Sequence, residues 1–109
     1  SQFDCPAFAL APPPPFRAVD EKTKLPSAFS ELIEAGITPA AVRRKLYAVQ
    51  CHVMRDTYAR HDIPFIAAPT AASDADGYLL RKLWNRDPTH GNPAYGQIVL
   101  NHLGAELNV

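Results

Sequence analysis

Trp84-Asn85-Arg86-Asp87-Pro88-Thr89-His90-Gly91-Asn92-Pro93-Ala94-Tyr95-Gly96 gathers a carboxylate, an imidazole, a helix cap and two turn formers into one stretch. Asp87 and His90 stand three apart, on either side of a Pro-Thr pair. Pro88 fixes its own φ and pushes Asp87 out of the α region. Gly91 is expected to give the backbone freedom just after the histidine. Asn92-Pro93 reads as an N-cap followed by proline at the first helical position. The stretch therefore predicts a turn carrying His90, directly ahead of a helix, with Asp87 close enough to orient the imidazole. A histidine held in this way is what a general base needs. The same residues also fit a blander arrangement, a solvated loop whose aspartate caps a turn.

Working outward, Tyr78, Leu79, Leu80, Leu83 and Trp84 supply apolar anchors that lead into Asp87. Behind it, a helix is expected from Pro93 to about Leu103, with Tyr95, Ile98, Val99 and His102 to one side and Gly104 as its stop. Ser73-Asp74-Ala75-Asp76-Gly77 fails as a calcium loop, because Ala72 occupies the first acidic position; a turn is expected instead. Ile63 to Pro69 is a short apolar run bounded by prolines, a strand candidate. The longest helix is expected from Thr38-Pro39 to about Arg60. Its apolar face is Val42, Leu46, Val49 and Val53, extended by Tyr47, Met54 and Tyr58, and its outer face carries Arg43, Arg44, Lys45, Arg55 and Arg60. A shorter helix is expected from Pro26-Ser27 to Gly36. Phe16 to Leu25 reads as a polar excursion over the surface. Pro12 to Pro15 must be extended, polyproline-like chain. Residues 7 to 11 form the other strand candidate, read as a buried strand, and the alternation with helices makes Phe8 to Ala11 and Phe65 to Ala67 expected parallel neighbours or near neighbours in one sheet.

The whole sequence bounds these readings. Its 109 residues suit one domain or part of one, and 47% hydrophobic with 20% charged residues belongs to a globular chain. Zero net charge gives no reason to expect a nucleic-acid partner. No apolar run is long enough for a membrane span, and the first residues do not resemble a signal peptide. Cys5 and Cys51 could pair, but free thiols in a reducing compartment are the expectation, and with them a cytoplasmic location. Cys51-His52 falls mid-helix, where sequence neighbours point different ways, so thiol chemistry is not expected there. His52, His61 and His102 share no helical spacing with another histidine, and no Cys-x-x-Cys is present. Neither a metal nor a cofactor is therefore expected.

The run Asp87-x-x-His90-x-Asn92-x-x-Tyr95-Gly96 resembles the last sequence block of the SGNH (GDSL-like) serine hydrolases. The order strand, proline loop, long helix, short strand, Asp-x-x-His loop and helix is similar to the C-terminal half of such a domain. The resemblance implies an α/β fold, the C-terminal part of a flavodoxin-like three-layer α/β/α domain, with residues 1–109 a single or partial domain. It also implies an ester hydrolase acting on a small-molecule ester, on a lipid or an acetylated carbohydrate, with His90 as general base and Asp87 as its orienter. The family's Gly-Asp-Ser block and its oxyanion-hole glycine and asparagine blocks do not appear here. None of Ser1, Ser27, Ser30 and Ser73 follows a Gly-Asp pair. The nucleophile and the oxyanion residues are thus expected outside this chain, which should pack with an N-terminal half or self-associate. The alternative is a non-catalytic fragment or interaction domain that keeps the scaffold. Two strands alone do not make a stable sheet.

Overall fold

The twenty residues Ala40–Ala59 contain no glycine or proline, and they form the principal helix, α1. A computed structural model describes residues 6–18, 39–87 and 89–107 of the chain. The helix expected over 26–36, the threonine cap at Thr38, the backbone of Pro88, and Cys5, Ser1, Ser27 and Ser30 all lie outside the described residues. Pro39 caps α1 through its carbonyl, which accepts from Val42 N and Arg43 N, each at 3.0 Å. The helix ends in a left-handed stop. Ile63 N donates to Tyr58 O at 2.9 Å and Asp62 N to Ala59 O at 3.1 Å, around Asp62 at φ 57°.

The two apolar runs become β1 (Ala9–Leu10) and β2 (Phe65–Ile66), paired in parallel with Ala9 opposite Phe65 and Leu10 opposite Ile66. The parallel pairing expected from their alternation with helices is present, and the arrangement is loosely α/β. A strand buried on both faces is not what forms, however. Phe8 and Leu10 stay about two-fifths exposed (40% and 42%), because no further element among the described residues covers them. Short 3-10 turns follow at Thr70–Ala72 and Arg81–Leu83, and helix α2 spans Pro93–Glu106. Gly104 does not stop α2. The helix runs through it for two more residues to a cap at Leu107, whose N–H donates to Leu103 O.

The main core cluster lies away from the sheet, in which Ile66 is buried as well. It consists of Phe16, Ala72, Leu79, Leu83 and Tyr95, with Leu80, Trp84, Ile98 and Val99 packed against it. The expected face of α2 is therefore the face it uses. At Phe16 the reading of 16–25 as a surface excursion is corrected, because the residue is 1% exposed and its ring stacks on Trp84; Arg17 and Ala18 are exposed, and 19–25 lie outside the described residues. Residues 73–79 form the expected turn: Asp74 Oδ1 accepts from Asp76 N and Tyr78 N, and Gly77 takes φ 89°. Arg17 bridges Asp74 and Asp76 at 2.8 Å each, which holds the Asp74 carboxyl below its ordinary range.

The inward side of α1 also differs from the apolar stripe. Val42, Leu46, Val49 and Val53 are 44, 60, 59 and 55% exposed. After Ala40 at the helix start, the half-buried residues are Arg43, Tyr47, Cys51, Met54 and Tyr58, a stripe roughly a quarter-turn away. Arg43 is no solvated outer cation. Its guanidinium donates to Phe16 O at 2.8 Å and Arg17 O at 3.3 Å. Cys51 is a free thiol.

Because Asp62 holds a left-handed conformation that glycine adopts without a Cβ clash, Asp62→Gly should stabilise the protein by about 1 kcal/mol. Urea unfolding followed by circular dichroism measures this, with Asp62→Ala expected to shift the midpoint in the opposite direction.

Candidate functional site

Between the core and α2 the chain closes a small loop, and hydrogen bonds at its neck define it. Trp84 and Gly91 pair as an antiparallel bridge, Asn85 N donates to His90 O at 3.1 Å, and Asn92 N donates to Leu83 O at 2.8 Å. The platform below is the Phe16–Trp84 stack. Trp84 stacks on Phe16 with centroids 4.6 Å apart and planes 3° from parallel, and its Nε1 donates to Leu79 O at 2.9 Å. Asn92 caps α2 as expected, accepting from Tyr95 N at 3.1 Å, with Pro93 as the first helical residue. Its amide also donates back to Lys82 O at 2.8 Å, so one side chain ties the helix start to the preceding turn.

Gly91 acts differently from the expected backbone hinge. An added Cβ there would lie 2.7 Å from Tyr95 Cβ and closer still to the ring. The glycine is required by the space that buried Tyr95 occupies.

Within the loop, Asp87 and His90 meet. Asp87 Oδ1 accepts from His90 Nδ1 at 2.8 Å, from Thr89 N at 2.9 Å and from Thr89 Oγ1 at 2.8 Å. Asn85 Nδ2 donates to the other oxygen at 3.3 Å. A carboxylate only accepts, so this contact assigns the imidazole proton to Nδ1 and leaves Nε2 as the acceptor of the neutral ring. Partial burial opposes ionisation of Asp87. The hydrogen bonds from His90 and from the Thr89 backbone and hydroxyl outweigh it and hold the carboxyl at about 2. The exposures divide the roles: the Asp87 side chain is 23% exposed and that of His90 72%. The carboxylate is sheltered and the imidazole stands open to solvent.

Thr89 is the residue that sequence reasoning missed. Its hydroxyl lies 3.0 Å from His90 Nδ1 as well as 2.8 Å from Asp87, so it braces both members of the pair. The signal was available in the Asp-x-Thr spacing, which favours an aspartate accepting from the backbone two residues on. Ser73 instead sits in the backbone bridge to Leu79, in the expected turn. Of the remaining histidines, His52 pairs with Asp56 at 3.5 Å on the exposed side of α1, and His102 lies half-buried on α2. Among the described residues no three His, Cys, Asp or Glu side chains converge on a point that could hold a metal ion. No helix among them is long and apolar enough to cross a membrane.

No family model matches the chain, and no curated protein or solved structure does either.

Two outcomes are expected of this loop. Gly91→Ala should evict the Tyr95 ring and destabilise the protein by about 1–3 kcal/mol, read as a lower urea midpoint and a weakened aromatic circular dichroism signal. The Asp87 carboxyl is depressed from 3.8 to about 2, so its contribution is complete above the unfolded value and disappears as pH falls through the folded one. The Nδ1 proton resonance of His90 should therefore persist at roughly pH 3 and be lost towards pH 2 and below.

Proposed function

We propose that the Asp87–His90 pair is the base half of a serine-type ester hydrolase of SGNH kind, completed by a nucleophilic serine and oxyanion donors from outside this chain. The observation that carries the reading is the 2.8 Å Nδ1–Oδ1 contact on an imidazole that is 72% exposed. Nε2 of His90 takes the serine proton as Oγ attacks the ester carbonyl. The same proton then passes to the leaving alkoxide as the tetrahedral intermediate collapses to an acyl-serine. His90 next takes a proton from water, the acyl group leaves as the acid, and the serine is restored. Asp87 keeps the tautomer and stabilises the imidazolium. The oxyanion donors act on the charge that develops at the carbonyl oxygen.

A second reading, a non-catalytic interaction domain, is favoured by the exposed apolar row Val42, Leu46, Val49 and Val53 on α1. In the hydrolase reading this row and the bare residues of β1 belong to the surface that the completing segment covers.

The test is hydrolysis of an activated acyl ester by the 109-residue chain of verified mass, alone and mixed with a polypeptide carrying a Gly-Asp-Ser block, with and without a serine-directed inhibitor. Alone, the chain should turn over no faster than free imidazole. With the completing segment, inhibitor-sensitive hydrolysis should appear, His90→Ala should abolish it, and Asp87→Asn should lower it by on the order of 10⁴. Restored hydrolysis that is indifferent to His90→Ala, or complex formation without any hydrolysis, would leave the interaction-domain reading. Saturable, inhibitor-sensitive turnover by the chain alone would place the nucleophile among its own serines.

A further inference from the structure

We propose that Thr89 is a positioning residue for the base: its hydroxyl offers only lone pairs to His90 Nδ1, and so locks the tautomer and the seat of the imidazole together with Asp87. The bearing of this lock on ester hydrolysis rests on the hydrolase reading above, whereas the lock itself does not.

Three atoms carry the argument. Thr89 Oγ1 lies 2.8 Å from Asp87 Oδ1 and 3.0 Å from His90 Nδ1, and those two atoms lie 2.8 Å apart. A hydroxyl has one proton to give, and an ionised carboxylate can only accept. Asp87 is ionised at neutral pH, because its carboxyl is held at about 2. The hydroxyl proton therefore goes to Oδ1, and Oγ1 turns its lone pairs towards Nδ1. That nitrogen then meets an acceptor on either side and keeps its proton. The opposite arrangement, with the hydroxyl donating to a bare Nδ1, would set the nitrogen lone pair 2.8 Å from a carboxylate oxygen. It would also withdraw a donor from the charge.

The backbone fixes where the hydroxyl sits. Thr89 N donates to the same Oδ1 at 2.9 Å, and a β-branched side chain is stiff at χ1, so the hydroxyl loses little rotamer freedom when held. Asn85 Nδ2 reaches the other carboxylate oxygen only at 3.3 Å and does not replace Thr89. Among the described residues, the titratable group that acts on Asp87 is His90 itself. Thr89 is exposed and helps to line a cleft of about 280 Å³ between Pro12 to Pro15 and α1, so exchanging its hydroxyl for a methyl group meets no packed core.

The experiment follows the His90 ring nitrogens and the Nδ1 proton by NMR in the 109-residue chain, in Thr89→Val and in Thr89→Ser. The unmodified chain should show one neutral tautomer, protonated at Nδ1. Thr89→Val keeps the shape of the side chain and removes the hydroxyl. It should show both tautomers and an Nδ1 proton that exchanges faster with water. It should also lose that resonance at a higher pH, because Asp87 then lacks one of the bonds that hold its carboxyl down from 3.8 to about 2. Thr89→Ser should restore a single tautomer. A single tautomer with an unshifted acid loss in Thr89→Val overturns the proposal, and so does a Thr89→Ser that behaves like Thr89→Val. In hydrolysis restored by a Gly-Asp-Ser segment, Thr89→Val should lower kcat roughly tenfold at unchanged KM. Tautomer mixing in Thr89→Val without restorable hydrolysis upholds the lock and sinks the hydrolase reading. Restorable hydrolysis with an unmixed tautomer upholds that reading and sinks the lock.

Discussion

Phe16 stacked on Trp84 is the contact on which the arrangement of the site depends. The two rings lie 4.6 Å apart and nearly parallel, and Phe16 is almost wholly buried. Such pairs contribute about 0.5–1.5 kcal/mol beyond the area they bury. Their larger effect here is positional. Phe16 ends the proline segment, and Trp84 begins the loop that carries Asp87 and His90. Joining them sets the proline wall beside α1 and seats the loop on the core. Leu79 completes the junction, with its N–H on Pro15 and its carbonyl on the Trp84 indole.

On that platform the Asp87–His90 loop combines a hydrogen-bonded carboxylate with an exposed imidazole. Among the described residues, the hydrogen bonds on the imidazole come from Asp87 and Thr89, within three residues of it. The carboxylate is sheltered by Thr89 and Asn85, which favours its charged form, while the ring it holds faces water. A proton carrier needs that combination: a fixed tautomer on one nitrogen and an accessible lone pair on the other.

Helix α1 shows how a correct periodicity can point to the wrong neighbour. The row Val42, Leu46, Val49 and Val53 has helical spacing, yet it remains exposed. The helix turns its Tyr47, Met54 and Tyr58 side inward instead, and Arg43 reaches two backbone carbonyls of the proline segment. The Arg43 stem lies half-buried while its guanidinium gives each carbonyl a donor, which a valine at that position could not. The strands follow the same pattern. Their pairing was legible from two proline-bounded apolar runs, but the exposure of β1 was not, because it depends on what else covers the sheet.

What the sequence by itself determined is local. Asn92-Pro93 set the start of α2, Asp74 to Gly77 set a turn, and the three-residue spacing of Asp87 and His90 across a proline brought carboxylate and imidazole into contact. These are short-range consequences of φ restriction and of side chains that bond the nearby backbone. The tertiary structure alone decided that Phe16 is core, that Arg43 faces inward, that Gly91 exists to admit Tyr95, and that a proline cleft opens beside Thr89. Each of these depends on a partner distant in sequence or on the volume another side chain occupies, and neither propensity nor periodicity carries that information.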